Sequence, residues 1–196
     1  MRAIVPQKRL TLAKGRLAGV LAPRPRAALG LALLRRVCAT LRAVRDVEDV
    51  TVMTSDPDVQ VRAAGWGIRA VPDPAAGLNA ALAQALVSFF RWSHGILIIA
   101  GDLPFLQPAD VVALLRAVPL RGLGLAPSKD GLGTNALVLP PGVLIHPAFG
   151  RGSLAAHRGQ AVALGLMAAE VARPGLAFDL DTPADYAAYI TAGGRT

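Results

Sequence analysis

The most constraining feature of the chain is an apolar run at residues 96–100, which stops at a Gly-Asp pair and then a Pro. Its length and its isoleucines are typical of a strand that is buried on both faces of a sheet. In open α/β sheets, ligands bind outside the carboxyl ends of the strands, and Asp102 follows this run. Asp102 is therefore a candidate metal ligand. The structural alternative is a turn residue, or a cap for the helix after Pro108.

Apolar runs of this kind alternate with helical patterns along much of the chain. Strands are predicted at residues 2–5, 50–54, 68–71, 122–127, 134–139 and 171–173. Helices are predicted at residues 25–44, 57–64, 77–91 and 109–118, and again after residue 152. The alternation predicts an α/β fold with a mostly parallel sheet and right-handed crossovers. No linker or internal repeat divides the 196 residues, so a single domain over 1–196 is expected.

The composition favours a large core and small anionic ligands. Hydrophobic residues make up 53% of the chain and charged residues 17%, which argues against disorder. The net charge of +8 indicates anionic partners such as phosphates, nucleotides or nucleic acid. The arginines are scattered, however, and no basic tail or aromatic-rich basic strand is present. Small phosphorylated ligands are therefore favoured, and no nucleic-acid partner is expected.

The sequence also predicts the location of the protein. The apolar runs are too short to span a bilayer, so no membrane partner is expected. The first residues reach Pro6 too soon for a signal peptide. Cys38 is the single cysteine, and it is expected to be a small buried hydrophobe in a chain without internal disulfides. A cytoplasmic protein is expected, and its apolar content would permit a homodimer.

A basic loop follows the first predicted strand. Lys8, Arg9, Lys14 and Arg16 lie within nine positions there. Loops in this place often hold nucleotide phosphates, so Lys8 and Lys14 are candidate nucleotide ligands. The loop has neither the dinucleotide fingerprint nor the P-loop pattern. An exposed basic turn is the alternative.

Two other segments place polar groups where a ligand could bind. Gly77 and Asn79 open a predicted helix whose free N–H groups could close over a base or phosphate, although an ordinary loop is the alternative. Thr134 and Asn135 begin a strand and could face a ligand.

The sequence from residue 149 to 153 places glycines before a serine at a predicted helix start. Gly150, Gly152 and Ser153 suit an anion-binding nest, and a plain capped helix is the competing account. The three histidines show no zinc spacing, and His157 is the one that lies close to this segment.

Two aspartates near the end of the chain complete the candidate groups. Asp179 and Asp181 are two residues apart in an extended segment and should project to the same side. Paired carboxylates suit Mg²⁺, which favours oxygen ligands and substrate phosphates. The alternative is that Asp181 and Thr182 cap the last helix.

Taken together, the order of these segments is more specific than any one of them. The segments are Lys8, Ala13-Lys14-Gly15-Arg16-Leu17, Gly77-Leu78-Asn79-Ala80-Ala81-Leu82, Gly101-Asp102-Leu103-Pro104, Asp130-Gly131, Gly133-Thr134-Asn135-Ala136-Leu137, Phe149-Gly150, Gly152-Ser153, His157 and Asp179-Leu180-Asp181-Thr182-Pro183. In this order and spacing the chain resembles the guanylyltransferase family of coenzyme F420 biosynthesis. That family uses GTP to activate phosphoenolpyruvate, 2-phospho-L-lactate or 3-phospho-D-glycerate.

The resemblance implies a three-layer nucleotidyltransferase fold of the glycosyltransferase-A, Rossmann-like type, with a mixed, mostly parallel sheet between helices. It implies Mg²⁺ held by Asp102, Asp179 and Asp181, with Lys14 and Asp102 as the catalytic pair. It also implies nucleotide contacts from Lys14 and the segment with Gly77 and Asn79. The residues implied to bind the phosphorylated acid are Thr134, Gly150 and Ser153. The Arg- and Ala-heavy composition resembles that of a high-GC bacterium, which favours phosphoenolpyruvate.

Two rival functions remain at this point. A sugar-phosphate or molybdopterin nucleotidyltransferase is disfavoured because those enzymes begin with a glycine-rich loop, and Pro6-Gln7-Lys8 stands there in this chain. A non-catalytic nucleotide-binding regulator is disfavoured because the three aspartates are retained.

Overall fold

The computed structural model describes residues 1–73, 77–89 and 95–194, and this part of the chain forms a seven-stranded sheet flanked by helices. The strands are β1 (Arg2–Pro6), β2 (Asp49–Met53), β3 (Arg69–Val71), β4 (Ile96–Ile99), β5 (Gly122–Pro127), β6 (Thr134–Leu139) and β7 (Met167–Glu170). The helices are α1 (Pro23–Arg42), α2 (Pro57–Gly65), α3 (Leu78–Phe89), α4 (Pro108–Ala117), α5 (Ser153–Ala163), α6 (Pro174–Ala177) and α7 (Pro183–Thr191). A short 3₁₀ turn, Gly15–Leu17, lies in the basic loop.

The sheet is mixed but mostly parallel, as predicted. Its strand order is β3-β2-β1-β4-β6-β5-β7, and β6 runs antiparallel to both of its neighbours. The start of β6 therefore lies beside the carboxyl end of β4, with Ala136 opposite Ile99. This reversal brings Thr134 and Asn135 to the edge of the sheet where Asp102 follows β4.

Helices cover both faces of the sheet, which gives the predicted three layers. Leu97 and Ile99 of β4 pack in a cluster with buried side chains of α1, α2 and α4. Ile96 and Ile98 pack in a second cluster with side chains of α3 and α5. Cys38 is fully buried in the first cluster, and burial raises the pKa of its thiol to about 12. No helix in the described residues is long and apolar enough to cross a bilayer.

The strand predicted at residues 171–173 is wrong. The strand is β7, Met167–Glu170, and it pairs in parallel with β5. Its alanines favour a helix by propensity, but pairing with β5 overrides that preference. The N–H of Val171 still donates to the carbonyl of Leu125, and Pro174 then begins α6. The part of the third predicted helix after Phe89 lies outside the described residues, as does His94.

Candidate active site

The position of Asp102 is set by the end of the central strand. The N–H of Ala100 donates to the carbonyl of Asn135 at 2.8 Å, which extends the contact between β4 and β6 by one residue. Gly101 is buried, and a Cβ at that position would lie 3.2 Å from Leu34 and 3.3 Å from Val5. A side chain at this position would crowd those of α1 and β1. Gly101 therefore lets the chain leave β4 close to both elements, and Asp102 follows at the carboxyl edge of the sheet.

Of the residues considered as helix caps, Thr182 is one, whereas Asp102 and Asp181 are not. Gln107 and Asp110 form the capping box of α4. Thr182 and Asp185 form that of α7, where the Thr182 hydroxyl accepts from the N–H of Asp185. The capping alternative therefore does not account for Asp102 or Asp181.

A second acidic segment is attached to the end of β4. The N–H of Leu180 donates to the carbonyl of Asp102 at 3.1 Å. The Asn135 side-chain amide donates to two carbonyls of α6 at 3.0 Å and approaches Asp179 Oδ1 at 3.4 Å. Asn135, expected from sequence to face a ligand, instead positions the acidic segment. Leu180 is fully buried beside Leu17 of the basic loop, which joins the two segments through a shared cluster.

The electrostatics of this edge favour a bound cation. Burial raises the pKa of Asp179 above its usual value, and the charge of Asp102 raises it further. Two carboxylates that repel each other in a partly buried place form a hard-oxygen donor pair of the kind that Mg²⁺ neutralises. Asp102 and Asp179 therefore fit the predicted cation. Within the described ranges, however, no three acidic, histidine or cysteine side chains converge as a ready metal site.

Two of the three aspartates, Asp102 and Asp181, form ion pairs with side chains of the basic loop. Lys14 Nζ lies 2.5 Å from Asp102 Oδ2, and the Lys14 side chain is only 6% exposed. Arg16 lies 2.6 Å from Asp181, and its side chain is exposed. Lys14 has a φ of 54°, and among the described residues it is the one non-glycine residue with a positive φ. Such strain persists only where the surroundings impose it, and it often marks functional sites.

The basic loop is held against the end of β2. The N–H of Gln7 donates to the carbonyl of Met53 at 2.9 Å, and the N–H of Leu10 donates to Asp56 Oδ2 at 2.7 Å. Asp56 also caps α2, as its place directly before Pro57 predicts. Lys8 remains exposed on the outer side of the loop. The loop thus directs Lys14 inward and leaves Lys8 at the surface.

A second polar cluster lies at the start of β6. Thr134 Oγ1 is 3.1 Å from Nδ1 of His157, and the N–H of Ala148 donates to Nε2 of His157 at 3.1 Å. His157 is fully buried, and burial lowers its pKa to about 4. The imidazole is therefore neutral at pH 7. Sequence reasoning placed His157 near this segment but did not assign it a role.

The glycines before α5 form a turn around a buried serine. Gly150 and Gly152 have φ values of 129° and 82°, which residues with a side chain rarely adopt. Ser153 is 1% exposed, and its hydroxyl has no hydrogen-bond partner among the described residues. Leaving a buried hydroxyl unpaired costs stability, so a polar ligand at this place would remove that cost. The arrangement favours the anion nest over a plain capped helix.

Asn79 connects this cluster to α3. Its amide nitrogen donates to the carbonyl of Phe149 at 3.1 Å, and its amide oxygen accepts from the N–H of Phe149 at 2.8 Å. The side chain is thus used to hold the segment before Gly150. Gly77 is exposed with a φ of 93°. Nucleotide contacts from Asn79 and Gly77 stay predictions.

Comparisons with known proteins agree with this architecture. The sequence matches the family described as guanylyl transferase CofC like over residues 1–196. It is 44% identical over 184 residues to the phosphoenolpyruvate guanylyltransferase of Sphaerobacter thermophilus, which covers 93% of this chain and 89% of that protein. It is 40% identical to the phosphoenolpyruvate guanylyltransferase of Salinispora arenicola, over 98% of this chain and 90% of that protein.

Solved structures share the fold at low sequence identity. A Desulfovibrio desulfuricans G20 protein assigned as a nucleotide-diphospho-sugar transferase superposes with a TM-score of 0.77 at 14% identity, over 92% of this chain and 82% of that one. A nucleotidyl transferase from Methanothermobacter gives 0.65 at 17% identity, over 97% and 96%. These likenesses confirm the nucleotidyltransferase fold. The family match over all 196 residues is more specific than the fold, and it shows that this chain belongs to the CofC-like guanylyl transferases.

Proposed function

We propose that this protein transfers GMP from GTP to the phosphate of phosphoenolpyruvate and releases pyrophosphate. The observation that carries the proposal is the identity of 44% to a phosphoenolpyruvate guanylyltransferase over nearly the whole of both chains. The solved protein with a sugar-type assignment, the nucleotide-diphospho-sugar transferase, shares the fold with this chain at an identity of only 14%. Coenzyme F420 biosynthesis is the proposed role, and the cytoplasm the proposed location.

The charges at the sheet edge suit this reaction. A phosphate oxygen of the acceptor attacks the α-phosphorus of GTP, and the bond from that phosphorus to the oxygen bridging to the β-phosphorus breaks. The acceptor phosphate is already ionised at neutral pH, so no general base has to remove a proton. What the protein must do is bring two anions together and stabilise the charge that develops.

Each proposed site residue has a place in that task. Lys14 and Lys8 are proposed to meet the triphosphate, and Thr134, Ser153 and the Gly150 backbone to hold the acid. The proposed metal ligands are Asp102, Asp179 and Asp181, and a bound Mg²⁺ would supply charge neutralisation at the phosphates. Because Lys14 and Arg16 now pair with two of these carboxylates, both cations would be free to turn to the phosphates once the carboxylates have another partner.

The test is pyrophosphate release with GTP and Mg²⁺, using phosphoenolpyruvate, 2-phospho-L-lactate and 3-phospho-D-glycerate in parallel. ATP and CTP replace GTP in the controls. Turnover with GTP and phosphoenolpyruvate is expected, and faster turnover with another acid would correct the substrate. If no pyrophosphate is released with any of the three acids, although the protein still binds GTP, the sugar-type enzyme or the regulator would be favoured.

A further inference from the structure

The hydrogen bonds around His157 determine which of its nitrogens carries the proton. A backbone N–H can only donate, so Nε2 of His157 must accept from Ala148 with a lone pair. A neutral imidazole carries one proton, which must then be on Nδ1. Nδ1 therefore donates to Thr134 Oγ1 across the 3.1 Å contact. The reverse direction would leave the ring without any proton.

The orientation of the ring is fixed as well. A half-turn of the imidazole would place carbon atoms against both Ala148 and Thr134, and both hydrogen bonds would be lost. Phe149 packs edge-on against the ring, with centroids 5.0 Å apart. The backbone of Phe149 is itself held on both sides by the Asn79 amide.

The proton on Nδ1 of His157 determines how the Thr134 hydroxyl can hydrogen-bond. Because it accepts from Nδ1, it cannot give its own proton to the histidine. No other acceptor for that proton is found among the described residues, and Thr134 is 7% exposed. Thr134 is thus a buried hydroxyl whose proton is left to donate to a ligand. Ser153, at the start of the helix that carries His157, is a second buried hydroxyl, and it has no partner among the described residues.

We propose that His157 is a positioning residue that directs the Thr134 O–H toward an anionic oxygen of the acceptor acid. The inference rests on the proposed function, since it requires the acid to bind at Thr134. His157 itself neither touches the substrate nor moves a proton. It fixes the direction of a donor before the substrate arrives, which lowers the cost of ordering the site on binding.

Two conservative variants separate the two bonds of His157. In H157Q the glutamine, which is longer than an asparagine, can still accept from the N–H of Ala148 with its amide oxygen, but it places no donor at the position of Nδ1. In H157N the shorter side chain can still donate to Thr134, but it loses the bond to Ala148. Both variants shrink the same buried side chain, so a purely packing role predicts similar effects. H146N is the matched control, because His146 is exposed in the loop before α5.

The expected result is a selective change in acceptor binding. H157Q should raise the KM for the acid about fivefold to tenfold and leave the KM for GTP within about twofold. H157N should recover most of this loss. In a T134V background, H157Q should add no further increase in the KM for the acid. Equal effects of H157Q and H157N, a parallel rise in the KM for GTP, or additivity with T134V would overturn the proposal.

A measurement without substrate separates this inference from the proposed function. ¹⁵N-detected NMR of the ring nitrogens should show the neutral form protonated at Nδ1 for His157 at pH 7. A proton on Nε2 would overturn the proposal whatever the activity. If the wild-type protein turns over none of the phospho-acids, the proposed function fails and the role in acceptor binding fails with it, whereas the Nδ1 proton would still be observed.

Discussion

Lys14 Nζ and Asp102 Oδ2 lie 2.5 Å apart, although 88 positions separate the two residues in the chain. The residue proposed to meet the triphosphate is thus paired with the residue proposed to hold the metal. Arg16 repeats this arrangement with Asp181. The ligand-free protein neutralises its acidic edge with its own basic loop, and GTP with Mg²⁺ would offer each partner a replacement of the same charge.

D102N should remove most of the activity. The amide cannot supply the negative charge that a divalent cation requires, so turnover should fall about 100-fold or more at saturating Mg²⁺. The measurement is pyrophosphate release with GTP and phosphoenolpyruvate. D46N, on an exposed residue before β2, makes the same chemical change away from the site and should behave as the wild type. Near-full turnover of D102N would show that the metal assignment is wrong.

D179N should separate stability from activity. Burial and the charge of Asp102 raise the pKa of Asp179, which means that its ionised form is disfavoured in the folded protein. Replacing it with a neutral amide should therefore raise the free energy of unfolding at pH 7 without metal, while turnover falls about 100-fold. Urea unfolding and pyrophosphate release measure the two effects. A destabilised D179N would contradict the view that this edge is strained for function.

The sequence was informative where structure depends on local patterns. The apolar run of β4, the Gly-Asp pair after it and the turn residues between β5 and β6 predicted those elements well. The strand β7 was missed because its alanines have no strand signal of their own and depend on pairing with β5. The ion pairs of Lys14 and Arg16, and the tautomer of His157, arise from contacts between distant segments. A single sequence carries no signal for such geometry.

R16Q should weaken nucleotide binding but hardly affect stability. The Arg16 side chain is 74% exposed, and ion pairs of exposed side chains contribute less than about 1 kcal/mol. The KM for GTP should nevertheless rise about fivefold, because one cation is lost beside the proposed triphosphate site. R45Q removes the same charge from an exposed residue after α1 and should leave KM unchanged. If R16Q and R45Q give equal KM values for GTP, Arg16 has no role at the phosphates.

The pH dependence of stability should report the buried state of His157. Its pKa is about 4 in the folded protein and about 6.5 when unfolded, so between these values the unfolded chain binds a proton that the folded chain does not. Stability should therefore fall as the pH is lowered from 6.5 to 4, by up to about 3 kcal/mol from this group.

H157Q should lose that part of the slope, whereas H146Q, which removes an exposed imidazole, should keep it. Urea unfolding at pH 7, 5.5 and 4 measures the difference between each variant and the wild type. The raised pKa of Asp179 acts in the opposite direction at the acid end, but it is common to all three proteins and cancels in the comparison. A wild-type slope retained in H157Q would mean that His157 is protonated as readily in the folded chain as in the unfolded one. The N–H of Ala148 would then face a second N–H on Nε2, and the hydrogen bond that holds the ring could not exist.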